Sequence, residues 1–129
     1  MVKLTKIFRQ AQSSRIIMNA HHINRGRYPD ISNGRESDFF FLEDEDSEHV
    51  ADQIVDLVKR RLPKAYHVLP SSIQVLTPMQ RGTVGATKLN ILLQDALNPS
   101  PVYLARRGMT YRQNDKVIQI KNNYEKEVF

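Results

Sequence analysis

Residues 43–62, EDEDSEHVADQIVDLVKRRL, constrain the fold more than any other stretch. Val50, Ile54, Leu57 and Val58 recur at helical spacing and make one apolar stripe. The first turn is acidic, and the last carries Lys59, Arg60 and Arg61. Both ends therefore complement the helix macrodipole, and the acids read as helix-end chemistry rather than a metal site. Pro63 predicts the end of this helix. Short apolar runs flank it: FFFLE (39–43) and IQVLTP (73–78). Each is bounded by polar residues and reads as a buried strand.

Two further helices are predicted. In SSRIIMNAHHINRG, Ser13 can cap the N-terminus, Ile16, Ala20 and Ile23 share a face, and Gly26 is a natural stop after Arg25. In VGATKLNILLQDALNP, Leu89, Leu92, Leu93 and Ala96 share a face, with Pro99 and Pro101 at the exit. DKVIQIKN alternates as a strand does. The order helix, strand, helix, strand, helix, strand implies an α/β fold with a mostly parallel sheet flanked by helices.

The chain has 129 residues, enough for one domain with a core. It has no cysteine, which excludes disulfides and thiolate metal sites. No apolar run approaches the roughly 18 residues of a membrane span, and no signal-peptide pattern opens the chain. A cytoplasmic location is the default expectation. The acids are segregated: nine of the 14 lie in residues 36–56, where there is no Lys or Arg. The rest of the chain carries 19 basic and 5 acidic groups. That surplus suits an anionic partner such as nucleic acid, or simply a soluble basic surface.

LTPMQRGTVGATKLN runs from strand through a glycine-containing loop into a helix, the layout of a phosphate-binding loop. The nucleotide signature G-x-x-x-x-G-K-[ST] is not met, because Gly82 and Gly85 precede Lys88 at the wrong spacing and Leu89 follows it. A helix N-terminus flanked by Arg81 and Lys88 can still hold a nucleic-acid phosphate. The alternative is a tight turn that needs glycine. His21 and His22 point about 100° apart on a helix and do not suit one metal ion. No Ser-His-Asp arrangement is legible. Asn122, Asn123 and Tyr124 follow a predicted strand, where they could bind bases or form a turn. Arg9, at the end of the apolar stretch LTKIFRQ, could grip a phosphate or pair with a carboxylate. The apolar segments at both ends, up to Val128 and Phe129, read as those of an excised fragment.

LTKIFRQAQSSRIIMNAHHIN, IQVLTPMQRGTVGATKLNILLQDALNP and YRQNDKVIQIKNNYEKEVF, in this order, resemble the RecD/TraA family of superfamily-one DNA helicases (exodeoxyribonuclease V alpha-subunit-like). The resemblance implies that residues 1–129 are a fragment of the second RecA-like, P-loop NTPase-type domain. It implies an ATP-dependent motor moving 5′ to 3′ on single-stranded DNA, with DNA repair and recombination as its setting and nuclease-complex subunits as conceivable partners. LTKIFRQ resembles helicase motif IV, which assigns Arg9 to the ATP γ-phosphate, with Gln10 beside it. VLTPMQRGTVG resembles the motif that faces DNA. That directs Thr77, Met79 and Arg81, with Asn90, to DNA contact and favours the phosphate-turn reading of Gly82 and Gly85; Lys88, Asn122, Asn123 and Tyr124, read from the residues themselves, complete the candidate DNA-binding set. ATP and Mg2+ would be bound mainly by the first domain, whose Walker A and Walker B motifs these 129 residues lack, as they lack the C-terminal arginine motif. The isolated fragment is expected to be inactive as an ATPase, and no metal site of its own is expected. His22 and Asn114 stand where the family commonly has arginine and glycine. The alternatives are a stand-alone nucleic-acid-binding module without a motor, and a structural or interaction domain.

Overall fold

The structure is a computed structural model and describes residues 14–34 and 36–118. The chain divides into two compact units, Met1–Glu43 and Asp44–Phe129.

In the first unit, α1 (Arg15–Asn24) is capped by Ser14, one residue later than the sequence suggested. The Ser14 hydroxyl oxygen accepts from the Ile17 N–H at 3.3 Å. The same hydroxyl donates to the Asp38 carboxylate at 2.5 Å, and Asp38 accepts from the Arg15 N–H at 2.8 Å. A carboxylate thus sits on the positive end of the helix dipole. The Ser14 hydroxyl, more than any other group, holds the Asp38 carboxyl below its ordinary pKa. At the other end Gly26 adopts φ +69°. Its N–H bonds to the Ile23 carbonyl and that of Arg27 to the His22 carbonyl, a Schellman closure.

Two asparagine side chains each make a pair of bonds to a main-chain peptide. Asn19, only 2% exposed, donates to the Asp30 carbonyl at 2.9 Å and accepts from its N–H at 2.8 Å. Asn33 treats Phe41 the same way, at 2.9 Å in both directions. Each amide pairs with a peptide as a neighbouring strand would. Segment 39–43, expected to be a buried strand, pairs with no strand among the described residues, and Phe40, Phe41 and Leu42 are exposed.

In the second unit, Asp46 caps α2 (Ser47–Asp56), accepting from the Glu48 N–H at 2.9 Å. The helix does not stop at Pro63. A π-helical turn, Leu57–Arg61, carries it into α3 (Leu62–Tyr66), with the Leu62 N–H reaching back to the Leu57 carbonyl. Proline cannot donate and crowds the carbonyl four residues earlier. A turn widened by one residue is a recognised way for a helix to absorb such a disturbance. The stop is His67, at φ +53°. α4 (Ala86–Leu97) follows the expected helix closely. Ala51 in α2, Val58 in the π turn and Leu89 in α4 are the buried apolar residues among the described residues, and α2 packs on α4.

Segment 73–78 keeps its period of two: Ile73, Val75 and Thr77 are half-buried and Gln74, Leu76 and Pro78 exposed. It pairs with no strand among the described residues. The sheet observed is a hairpin that the sequence reading missed, β1 (Tyr103–Arg106) antiparallel to β2 (Met109–Arg112). The expected mostly parallel sheet is not seen among the described residues. Of the strand predicted from DKVIQIKN, residues 115–118 are irregular, and the remainder lies outside the described residues.

The hairpin is bolted to the end of α4. The Arg112 guanidinium donates to the carbonyls of Asn98 (2.9 Å) and Gln94 (3.3 Å) and to the Asp95 carboxylate. A cation thereby meets the negative end of the helix. Asp115 accepts from the Arg112 N–H at 2.7 Å, from Asn98 at 2.7 Å and from Gln94 at 2.5 Å. Asn114, beside it, has φ +72°, a conformation that asparagine tolerates nearly as glycine does. Partial burial alone would raise the Asp115 pKa. The bonds from Arg112, Asn98 and Gln94 outweigh it and hold the carboxyl below its ordinary value.

A carboxyl depressed on folding stabilises the fold above its unfolded pKa and loses that contribution as pH falls through the folded value. The thermal stability of the chain is therefore expected to fall as pH drops below about 4. Asp115→Asn should be less stable at neutral pH and show a flatter acid limb. Parallel curves for the two proteins would mean that Asp115 carries none of the dependence.

Candidate nucleic-acid interface

Residues 77–85 form a cinched loop leading into α4. The Thr77 hydroxyl donates to the Val84 carbonyl at 2.8 Å and accepts from the Met79 N–H at 3.3 Å. The carbonyls of Met79 and Gln80 accept from the Ala86 and Thr87 N–H groups, at 2.9 and 3.2 Å. The loop thus caps its own helix, which has no side-chain cap. Gly82 takes φ +94°. Gly85 packs so closely on the preceding turn that an added Cβ would lie 2.4 Å from the Arg81 carbonyl oxygen. The Thr83 hydroxyl donates to Glu48 at 3.2 Å, tying the loop to the start of α2.

These contacts sort the predicted residues. Thr77 and Gly85 shape the loop. Thr77 is half-buried, with its hydroxyl already donating and accepting, so it acts as a lock. Met79, Arg81, Gly82, Lys88 and Asn90 are exposed. Arg81 and Lys88 make no ion pair among the described residues. Lys88 and Asn90 flank the buried Leu89, about 100° to either side of it, so they point to different sides of α4. Two amides at the helix start, Ala86 and Thr87, are engaged by loop carbonyls, and the side chains of Arg81 and Lys88 add positive charge beside them. The glycine-turn and phosphate readings of the sequence are therefore compatible: glycine permits the turn, and the turn carries the cations. Arg9, Gln10, Asn122, Asn123 and Tyr124 lie outside the described residues.

The loop and the first turn of α4 thus present two cations to solvent, unpaired among the described residues. The sequence is similar to that of a DNA helicase, and the extent of the match supports a helicase-family relationship. That relative is the ATP-dependent RecD2 DNA helicase of Deinococcus radiodurans, 34% identical over 128 residues. The match takes in 99% of this chain and spans 16% of the relative's length. No family profile matches the chain, and no solved structure matches it.

Proposed function

We infer that this chain is part of an ATP-dependent 5′–3′ DNA helicase, a fragment of its second RecA-like domain. The observation that carries the inference is the 34% identity to a DNA helicase along nearly the whole chain. The loop geometry supports it. Loop 77–85 and the first turn of α4 contribute part of a groove for single-stranded DNA, with Arg81 and Lys88 on phosphates and Met79 against the strand. Thr77 and the glycines hold the loop in shape, and Asn90, Asn122, Asn123 and Tyr124 extend the contact. Arg9, with Gln10, serves the γ-phosphate of an ATP whose Mg2+ and main binding loop belong to another domain. Nuclease-complex subunits are further proposed partners, and the cytoplasm is the proposed setting.

The test is binding of a fluorescent oligo(dT) strand to the 129-residue chain across a salt series. Arg81→Ala/Lys88→Ala is expected to weaken binding roughly tenfold. Losing two phosphate contacts should also reduce the salt slope by about 1.4. Unchanged affinity and slope in a folded double variant would remove this loop from the DNA groove.

A further inference from the structure

The β1–β2 hairpin carries charge that no reading above uses. Both turn residues have positive φ, +52° at Arg107 and +76° at Gly108, the type I′ pattern of a two-residue hairpin. Asn, Asp or Gly is favoured at the first of these positions, so Arg107 stands there against backbone preference. Arg106 precedes it, paired in register with Met109. Both arginines are exposed, and neither has an ion-pair partner among the described residues, whereas Arg15, Arg60 and Arg112 each hold an aspartate.

Strand alternation puts Leu104, Arg106, Met109 and Tyr111 on one face. Leu104 is 62%, Met109 57% and Tyr111 37% exposed. The opposite face includes Arg112, whose guanidinium is committed to α4. The result is a prong with two guanidiniums at its tip that are unpaired among the described residues, an aromatic and apolar flank, and a fixed base.

We propose that this flank and the Arg106–Arg107 tip bind single-stranded nucleic acid, separately from loop 77–85. Phosphates meet the guanidiniums and bases lie against Tyr111 and Leu104. The proposal rests on the helicase reading for its partner, and on charge for its selectivity. An apolar protein partner would cover two cations without pairing them, at a desolvation cost. A nucleic-acid strand offers anion and ring together, which is the pairing that sequence-tolerant single-strand binders use.

The same oligo(dT) titration tests it with different variants. Arg106→Ser/Arg107→Asn removes both charges while placing a favoured residue in the turn, so thermal stability should hold or rise. Affinity is expected to fall about tenfold and the salt slope by about 1.4. Arg106→Lys/Arg107→Lys should keep most of the affinity. Tyr111→Leu, which keeps the apolar bulk, should weaken binding by about fivefold. Full affinity in the neutral variant overturns the proposal; if Arg81→Ala/Lys88→Ala still binds weakly, the loop reading stands without it. Equal losses in the lysine and neutral variants overturn the phosphate contact, and unchanged binding by Tyr111→Leu overturns the stacking. Absence of salt-dependent DNA binding by the unsubstituted chain overturns both surfaces.

Discussion

Gly85→Ala should unfold or unseat the loop at the head of α4, with a loss of about 3 kcal/mol, roughly a hundredfold in the folded-to-unfolded ratio. The added methyl carbon would lie 2.4 Å from the Arg81 carbonyl oxygen and 2.5 Å from its carbonyl carbon. Both are main-chain atoms, so no side-chain rotation can relieve the overlap. Relief requires the backbone at Arg81 to move, and that movement pulls on Gly82, whose carbonyl accepts from the Gly85 N–H at 3.0 Å. It also pulls on the Met79 and Gln80 carbonyls that close the first turn of α4. Gly82→Ala is the control. A Cβ there meets nothing within 4 Å, so its cost is the positive φ alone, about 1 to 2 kcal/mol. Thermal unfolding of the two variants separates steric closure from backbone strain. Equal and small effects would mean that the turn is not held as tightly as these distances require.

The helices were legible in the sequence because helices are local. Leu89, Leu92, Leu93 and Ala96 specify α4 through spacing alone, and it forms where the spacing puts it. The acidic start of α2 likewise needs no distant partner, although Asp46 as its cap emerges only in the structure. Pro63 misled because the rule that proline ends a helix assumes regular α geometry, and a π turn supplies another solution. Strands were harder, because a strand exists only where another backbone answers it. Segment 39–43 has the composition of a strand, yet the Asn33 side chain satisfies Phe41 where a ladder would. The β1–β2 hairpin was missed for the complementary reason. Its turn is Arg-Gly rather than Asn-Gly, and its strands lack clean alternation of apolar and polar residues. Of the candidate site, the position of Arg81 and Lys88 around a glycine turn at the head of a helix was readable. Thr77 as a lock was not, because the Val84 carbonyl that its hydroxyl bonds lies seven residues away in the chain.

Arg9→Ala, made in the complete helicase that the proposed function assigns to this chain, should lower ATP turnover by roughly a thousandfold while single-stranded DNA binding survives. The expectation rests on what a guanidinium does to phosphoryl transfer. Charge spreads over the γ-phosphate oxygens as the bond to the leaving group lengthens, and a planar cation placed there stabilises the transition state more than the ground state. Delivered by a second domain, that cation arrives only when the cleft closes, so hydrolysis becomes conditional on closure. Arg9→Lys should restore only part of the rate, because an ammonium is a point charge and cannot grip two oxygens as a fork does. The DNA groove proposed around Arg81 and Lys88 uses different side chains, so its affinity is an internal control. A variant that loses turnover and DNA binding equally has lost its fold rather than a catalytic group. A variant that hydrolyses ATP at the normal rate would return Arg9 to the ion-pair reading. The stand-alone nucleic-acid-binding module would then be the better account of this basic chain.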